Sequence, residues 1–174
     1  MTTTASERRT ATAGRWALDA GESSVDFAVK TFWGLATVRG RFDRFAGSYE
    51  MGPDGAELEL TIDAASLDTG NATRDRHLRS HDFFGVAEHP QLRFRSTAAR
   101  PAGAGMLHVD GVLEGAGAFV PVELDATVRP ARDGLEIEGV TIVDHRQLGM
   151  SSGPLGMIRG PATVHVRARL RGAA

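Results

Sequence analysis

Along most of this chain apolar and polar residues alternate one for one. Val25, Phe27 and Val29 alternate with Ser24, Asp26, Ala28 and Lys30, the period-two pattern of a strand with one dry face and one wet face. Val38, Gly40 and Phe42 share a parity against Thr37, Arg39, Arg41 and Asp43, and Leu58, Leu60 and Ile62 alternate with Glu57, Glu59, Thr61 and Asp63. The pattern returns at Leu92 and Phe94, at Leu107 and Val109, and along Val120, Val122, Leu124, Ala126 and Val128. Leu135 and Ile137 sit among Glu136 and Glu138, and Val140 and Ile142 continue that strand. Val164, Val166, Ala168 and Leu170 oppose His165, Arg167, Arg169 and Arg171. Trp16 and Leu18 begin a further strand-like segment, and turn signals such as Gly52-Pro53-Asp54-Gly55 separate most runs. Roughly eight to ten such strands predict an all-β antiparallel sandwich or barrel. A run as long as Val120 to Val128 with one apolar parity suits an up-and-down barrel. Small inward residues such as Ala28, Gly40 and Ala126 would leave space inside it.

The alternation fails twice. From Leu67 to Pro90 the chain reads as turn, then helix: Asn71 or Thr73 can supply an N-cap oxygen, and a short helix is predicted from Thr73 to Asp82. Asp75 and Arg79 stand four apart on it, a pair worth roughly 0.2–0.5 kcal/mol, while Leu78, Phe83 and Phe84 can turn inward. Such a helix is a lid or plug rather than a pillar. The second failure, from Val143 to Pro161, is rich in glycine yet carries Leu148, Met150, Leu155, Met157 and Ile158. Flexible apolar side chains of this kind suit a ligand portal, a subunit contact in a homodimer, or a loop folded back on the barrel end.

Length and composition narrow the reading. The 174 residues suit one domain over residues 15–172, preceded by a Thr- and Ala-rich flexible arm over residues 1–14. A net charge of −2 gives no call for nucleic acid as a partner. Without cysteine there are no disulfides and no thiolate metal site. The first residues have no apolar core like that of an export signal, and no run approaches the ~18 apolar residues of a membrane span, so the chain reads as cytoplasmic, without stable membrane insertion. Lys30 is the single lysine against 19 arginines, a usage that hints at a GC-rich bacterial genome.

Several motifs invite chemistry. Gly149-Met150-Ser151-Ser152-Gly153 matches the nucleophile-elbow pattern, but Pro154 and Gly156 follow where the elbow requires a helix. His77 and His81 lie four apart, with Asp82 or His89 as further ligands, yet the glutamate of a zinc helix is absent and Arg76 and Arg79 oppose a cation. Glu57 with Glu59, and Glu136 with Glu138, read as a solvated outer face. Arg167, Arg169 and Arg171 form a basic stripe without stacking aromatics, as on a solvated edge strand.

Taken together, several blocks resemble the YceI-like family of lipocalin-like, polyisoprenoid-binding proteins. They are Trp16-Ala17-Leu18-Asp19 with Val25, Phe27, Val29 and Lys30; Val38-Arg39-Gly40-Arg41-Phe42 with Phe45 and Gly47; and Ile62-Asp63, then Ser66-Leu67-Asp68-Thr69-Gly70-Asn71. Arg74-Asp75, His77-Leu78-Arg79-Ser80 and Asp82-Phe83-Phe84 follow, and Asp110-Gly111, Pro121-Val122, Arg146 and Gly149-Met150 fit the second half more loosely. Where family members often carry His, Asp and Asp-Phe, this chain has Thr31, Gly85 and Gln147-Leu148. The resemblance implies an eight-stranded antiparallel lipocalin-like barrel with one or two short helices and an apolar channel for a long isoprenoid or similar lipid. On that reading the protein binds, carries or sequesters an isoprenoid, quinone or fatty acyl lipid and needs no cofactor or metal. Phe27, Val29, Phe42, Phe45, Phe94, Val122 and Leu124 would line the channel, Phe32, Trp33, Phe83, Phe84 and Met150 its mouth, and Arg74, Asp75 and His77 would fix the helix. Two other readings remain at this point. One is an enzyme acting through His77, His81 and Asp82; the other is a ligand-free stress or structural dimer.

Overall fold

The computed structural model describes residues 14–150 and 158–173. Among these residues eleven strands appear in chain order: β1 (Gly14–Leu18), β2 (Ser24–Thr31), β3 (Ala36–Phe42), β4 (Phe45–Gly52), β5 (Gly55–Asp63), β6 (Leu67–Asp68), β7 (Gln91–Pro101), β8 (Met106–Gly115), β9 (Ala118–Ala131), β10 (Gly134–Val143) and β11 (Ile158–Gly172). The helix α1 (Ala72–Arg79) lies between β6 and β7.

Eleven strands make an eight-stave barrel because three staves are interrupted. Along one side of β11, Leu170 pairs with Leu18 of β1 and Val166 with Val25 of β2. β1 and β2 are therefore two pieces of one stave, broken by a turn in which the Asp19 carboxylate accepts from the Gly21 N–H at 3.0 Å. In the same way β3 pairs with β2 while β4 pairs with β1, and β5 pairs with β4 while β6 pairs with β3. Ser66 holds two of these breaks together: its hydroxyl accepts from the Asp43 and Arg44 N–H groups at 3.2 and 3.0 Å and donates to the Asp63 carbonyl at 2.7 Å. From β7 to β11 each strand pairs antiparallel with the next, and the contact of β11 with β1 and β2 closes the ring. Closure removes sheet edges. The basic stripe of β11 consequently stands on a strand paired along both sides, not on an edge, and its arginines meet acids: Arg171 reaches Asp19 at 2.8 Å and Glu22 at 3.0 Å.

Inward parity follows the apolar positions, with two corrections. β10 is apolar on one parity up to Ile137, but beyond Gly139 the inward positions are Thr141 and Val143, so Val140 and Ile142 are exposed on the outer face. Ala28 also faces outward, since its register partners are Arg39 and Thr163 on the outer face. Gly40 and Gly111 do face inward, but they receive neighbours instead of leaving voids. The rings of Phe27 and Phe94 occupy the volume that a Cβ would need at these two glycines.

The helix is shorter than its sequence signal. Asn71 is the N-cap, its side chain accepting from the Arg74 N–H at 3.0 Å, but Ser80 leaves helical geometry. The Ser80 hydroxyl donates to the His77 carbonyl at 2.6 Å, and the Phe84 N–H reaches back to the Leu78 carbonyl at 3.0 Å. That turn brings Phe83 and Phe84 under the helix. Asp75 and Arg79 form no i,i+4 pair; both bind the preceding segment. Asp75 accepts from the Thr69 N–H at 2.9 Å and from the Thr69 hydroxyl, while Arg79 donates to the Ala65 and Leu67 carbonyls at 2.9 and 2.7 Å. Arg74 adds bonds to the Thr69 hydroxyl and carbonyl, both at 2.8 Å. These bonds tie the plug to the stave that carries β6.

Candidate functional site

Inside the barrel lies an almost wholly apolar cavity of about 210 Å3. Its lining runs from Leu18, Tyr49 and Leu170 at one end to Phe84, Leu148 and Met150 at the helix end. Every stave contributes, because the inward parity is mostly apolar along the strands. The first end is shut by packing: Val109 and Ala126 are fully buried, and Trp16 and Tyr49 stack with centroids 5.5 Å apart. Burial pushes the Tyr49 phenol up, as expected where no charge stabilises the ionised form.

Of the residues expected at the channel, Phe27, Phe42, Phe94, Val122 and Leu124 line this cavity. From the expected mouth, Phe84 and Met150 line it too. Phe27, Phe42 and Phe84 form an aromatic ladder from wall to plug, with centroids 5.4 and 5.8 Å apart. The others lie elsewhere. Phe45 packs against the cluster around Val25, Phe42 and Ile62, Val29 pairs with Val38 toward the end of its hairpin, and Phe83 is buried with Val120, Leu148 and Met150. Phe32 and Trp33 sit at the tip of the β2–β3 hairpin with positive φ of 49° and 56°, and are 47% and 55% exposed.

The charged residues stay outside. Glu59 borders the cavity by its backbone strand, but its carboxylate turns out to Arg95 at 3.0 Å. His77 packs edge-on against Phe83 at 5.2 Å, and His81 is exposed beside Asp82 at 3.2 Å. Among the described residues, the potential metal ligands that converge are His108, Asp110 and Glu123, on the outer face of β8 and β9. There, His108 bonds Asp125 at 2.8 Å, which raises its pKa, and Arg100 already pairs with Asp110 at 3.0 Å. The nucleophile-elbow match falls mostly on Ser151, Ser152 and Gly153, outside the described residues, as do residues 1–13 of the expected arm.

A polar side chain that sequence reasoning missed also borders the cavity. His145 follows β10 on the inward parity of Thr141 and Val143, so extending that alternation by one step would have found it. It is only 8% exposed, and among the described residues neither ring nitrogen has a hydrogen-bond partner. Burial holds its pKa below the usual histidine value, outweighing the Asp144 carboxylate and the nearby Gly160 backbone, which favour the charged ring. The Thr141 hydroxyl, by contrast, is committed to the Glu123 carbonyl at 2.7 Å.

Comparison with known proteins agrees with this architecture. The YceI-like domain matches residues 16–170. A UPF0312 protein of Shewanella denitrificans is 33% identical over 150 residues, covering 83% of this chain and 78% of that protein. Another, from Pectobacterium atrosepticum, is 36% identical over 110 residues, 59% of this chain and 54% of its own length. Among solved structures, BcnA of Burkholderia cenocepacia superposes with a TM-score of 0.79 at 22% identity, covering 87% of this chain and 98% of that one. A polyisoprenoid binding domain from Saccharophagus degradans, implicated in plant cell wall breakdown, gives 0.72 at 16% identity, covering 93% of this chain and all of that one (100%). With the profile match spanning all but the two ends, the chain belongs to the YceI-like family.

Proposed function

We propose that this protein is a carrier or sequestering protein that takes the hydrocarbon chain of an isoprenoid, quinone or fatty acyl lipid into its barrel. The observation that carries this reading is the cavity itself: apolar, shut at one end, and reaching a plug held by a few polar bonds at the other. Its volume of about 210 Å3 lies below the ~300–1,000 Å3 usual for sites that hold compact ligands, and fits a single narrow chain. Transfer of each CH2 from water is worth roughly 0.8 kcal/mol, so one buried five-carbon unit contributes about 4 kcal/mol before ordering costs. The polyisoprenoid binding domain of Saccharophagus degradans, similar in fold, supports the same ligand class.

Binding rather than turnover is the better reading of the lining. His77, His81 and Asp82 lie on the plug and its outer surface, with His77 against Phe83, so they do not converge on the cavity. The test is Phe27→Asp. A carboxylate in the aromatic ladder is expected to abolish uptake of a prenyl or acyl lipid; uptake equal to wild type in a folded variant would refute the placement of the ligand.

A further inference from the structure

The cavity takes a tail; the geometry points to where the head goes. We infer that His145 is the head-group contact of the bound lipid, and that it selects uncharged heads carrying a hydroxyl or carbonyl oxygen. This rests on the binding reading and adds to it an orientation and a ligand subclass.

Buried side-chain nitrogens almost always have a partner; among the described residues neither His145 nitrogen has one in full hydrogen-bond geometry, although the Gly160 backbone lies close enough to favour the charged ring, so this imidazole bordering an apolar cavity marks a position where a ligand atom completes the bonding. The ring is not there through loose structure. The Leu148 and Met150 N–H groups both donate to the His145 carbonyl, at 3.2 and 3.1 Å, fixing the backbone that aims it. Nor is the neighbouring carboxylate its missing partner. Asp144 is taken by Arg146, whose side chain donates to it at 2.9 and 3.0 Å and whose N–H donates at 2.9 Å. A second orphan lies close in the topology. Thr31, at the end of β2, has a buried hydroxyl without a partner among the described residues, and it pairs with Ile158 at the start of β11. Both unsatisfied groups thus flank the beginning of the strand that closes the barrel, at the plugged end. The far end, walled by Tyr49, Ala168 and Leu170, offers a tail apolar surface interrupted by the Tyr49 phenol.

The head's chemistry follows from the ring and its surroundings. A neutral imidazole presents one donor and one acceptor, which matches an alcohol in both senses and a quinone or ketone oxygen in one. A diphosphate or carboxylate would require a cation at the ring, and among the described side chains the adjacent Arg146 is already bound to Asp144.

The test uses the intact chain and three probes of equal tail length: geranylgeraniol, geranylgeranyl diphosphate and the corresponding head-less hydrocarbon. Dissociation constants are measured for wild type, His145→Phe and His145→Gln, and the alcohol-to-hydrocarbon ratio is read within each protein, so that any general loss of affinity cancels. Wild type is expected to prefer the alcohol over both other probes by about tenfold. The preference should collapse toward unity in H145F and return in part in H145Q, which restores a donor and an acceptor. A wild-type ratio near unity, a preference that survives in H145F, or tighter binding of the diphosphate overturns the assignment while leaving tail binding intact. Failure of all three probes to bind wild type overturns the binding reading itself.

Discussion

The two ends of the barrel are built on opposite principles. At the end formed by β1, β4, β8 and the close of β11, apolar side chains interlock: Val109 and Ala126 are fully buried, and Trp16 stacks on Tyr49. Outside that end, Arg171 binds both Asp19 and Glu22. At the helix end, Thr31 and His145 are buried with no hydrogen-bond partner for their side chains among the described residues, Phe32 and Trp33 adopt left-handed backbone geometry in the open, and a plug two helical turns long is held by side chains from Arg74, Asp75 and Arg79. Strain and unsatisfied polarity concentrate where surrounding structure over-determines them for a function. One end stabilises the fold, and the other retains unused bonding capacity.

The contrast can be broken first at the packed end. Leu170→Ala removes a side chain 2% exposed from the cluster around Tyr49 and Ile137, and is expected to cost about 2–5 kcal/mol in urea denaturation. A cost under ~0.5 kcal/mol would mean that this end does not carry the fold. A smaller effect is expected at the plug. Asp75→Ala strips the Thr69 N–H and hydroxyl of their acceptor, an expected loss of about 1–3 kcal/mol, accompanied by faster amide exchange over residues 69–85 than over β8 and β9. Uniform exchange along the chain would show that the plug does not open separately.

The smallest effect is in pH dependence. The folded pKa of His145 lies below its ordinary 6.5 because of burial. Above that value both states are neutral there and the residue adds no pH dependence. As pH falls from 6.5 toward the lowered folded value, the unfolded chain takes up a proton that the folded chain resists, so stability declines. Wild type should therefore lose stability on acidification relative to His145→Gln, which has no ring to titrate. His108, shifted up by its bond to Asp125, pulls the other way, but both proteins carry it and the difference removes it. Parallel pH profiles would place His145 in water.

Much of this architecture is legible in the alternation. Leu58, Leu60 and Ile62 predict β5, and Val120 to Val128 predict the body of β9, because a half-buried strand forces a period of two. The interrupted staves are not legible, since they depend on where β11 meets β1 and β2, a relation between positions far apart in sequence. Nor is the outward turn of Val140 and Ile142. Gly139 carries the inward parity there without an apolar side chain to reveal it. Cavity positions such as Phe27, Phe94 and Leu124 follow from parity once the barrel is assumed. His145 does not stand out, because a lone histidine among Asp144, Arg146 and Gln147 looks like surface. Phe32 and Trp33 look like a mouth by composition, while their positive φ is a property of the hairpin.

Whether the cavity holds a lipid chain is decided by native mass spectrometry of protein purified without detergent, followed by organic extraction and identification of what is released. A prenyl or acyl lipid with an uncharged oxygen-bearing head is expected at close to one per chain, and is expected to be lost in Phe27→Asp. A bare polypeptide mass that stays bare after incubation with geranylgeraniol would contradict lipid binding.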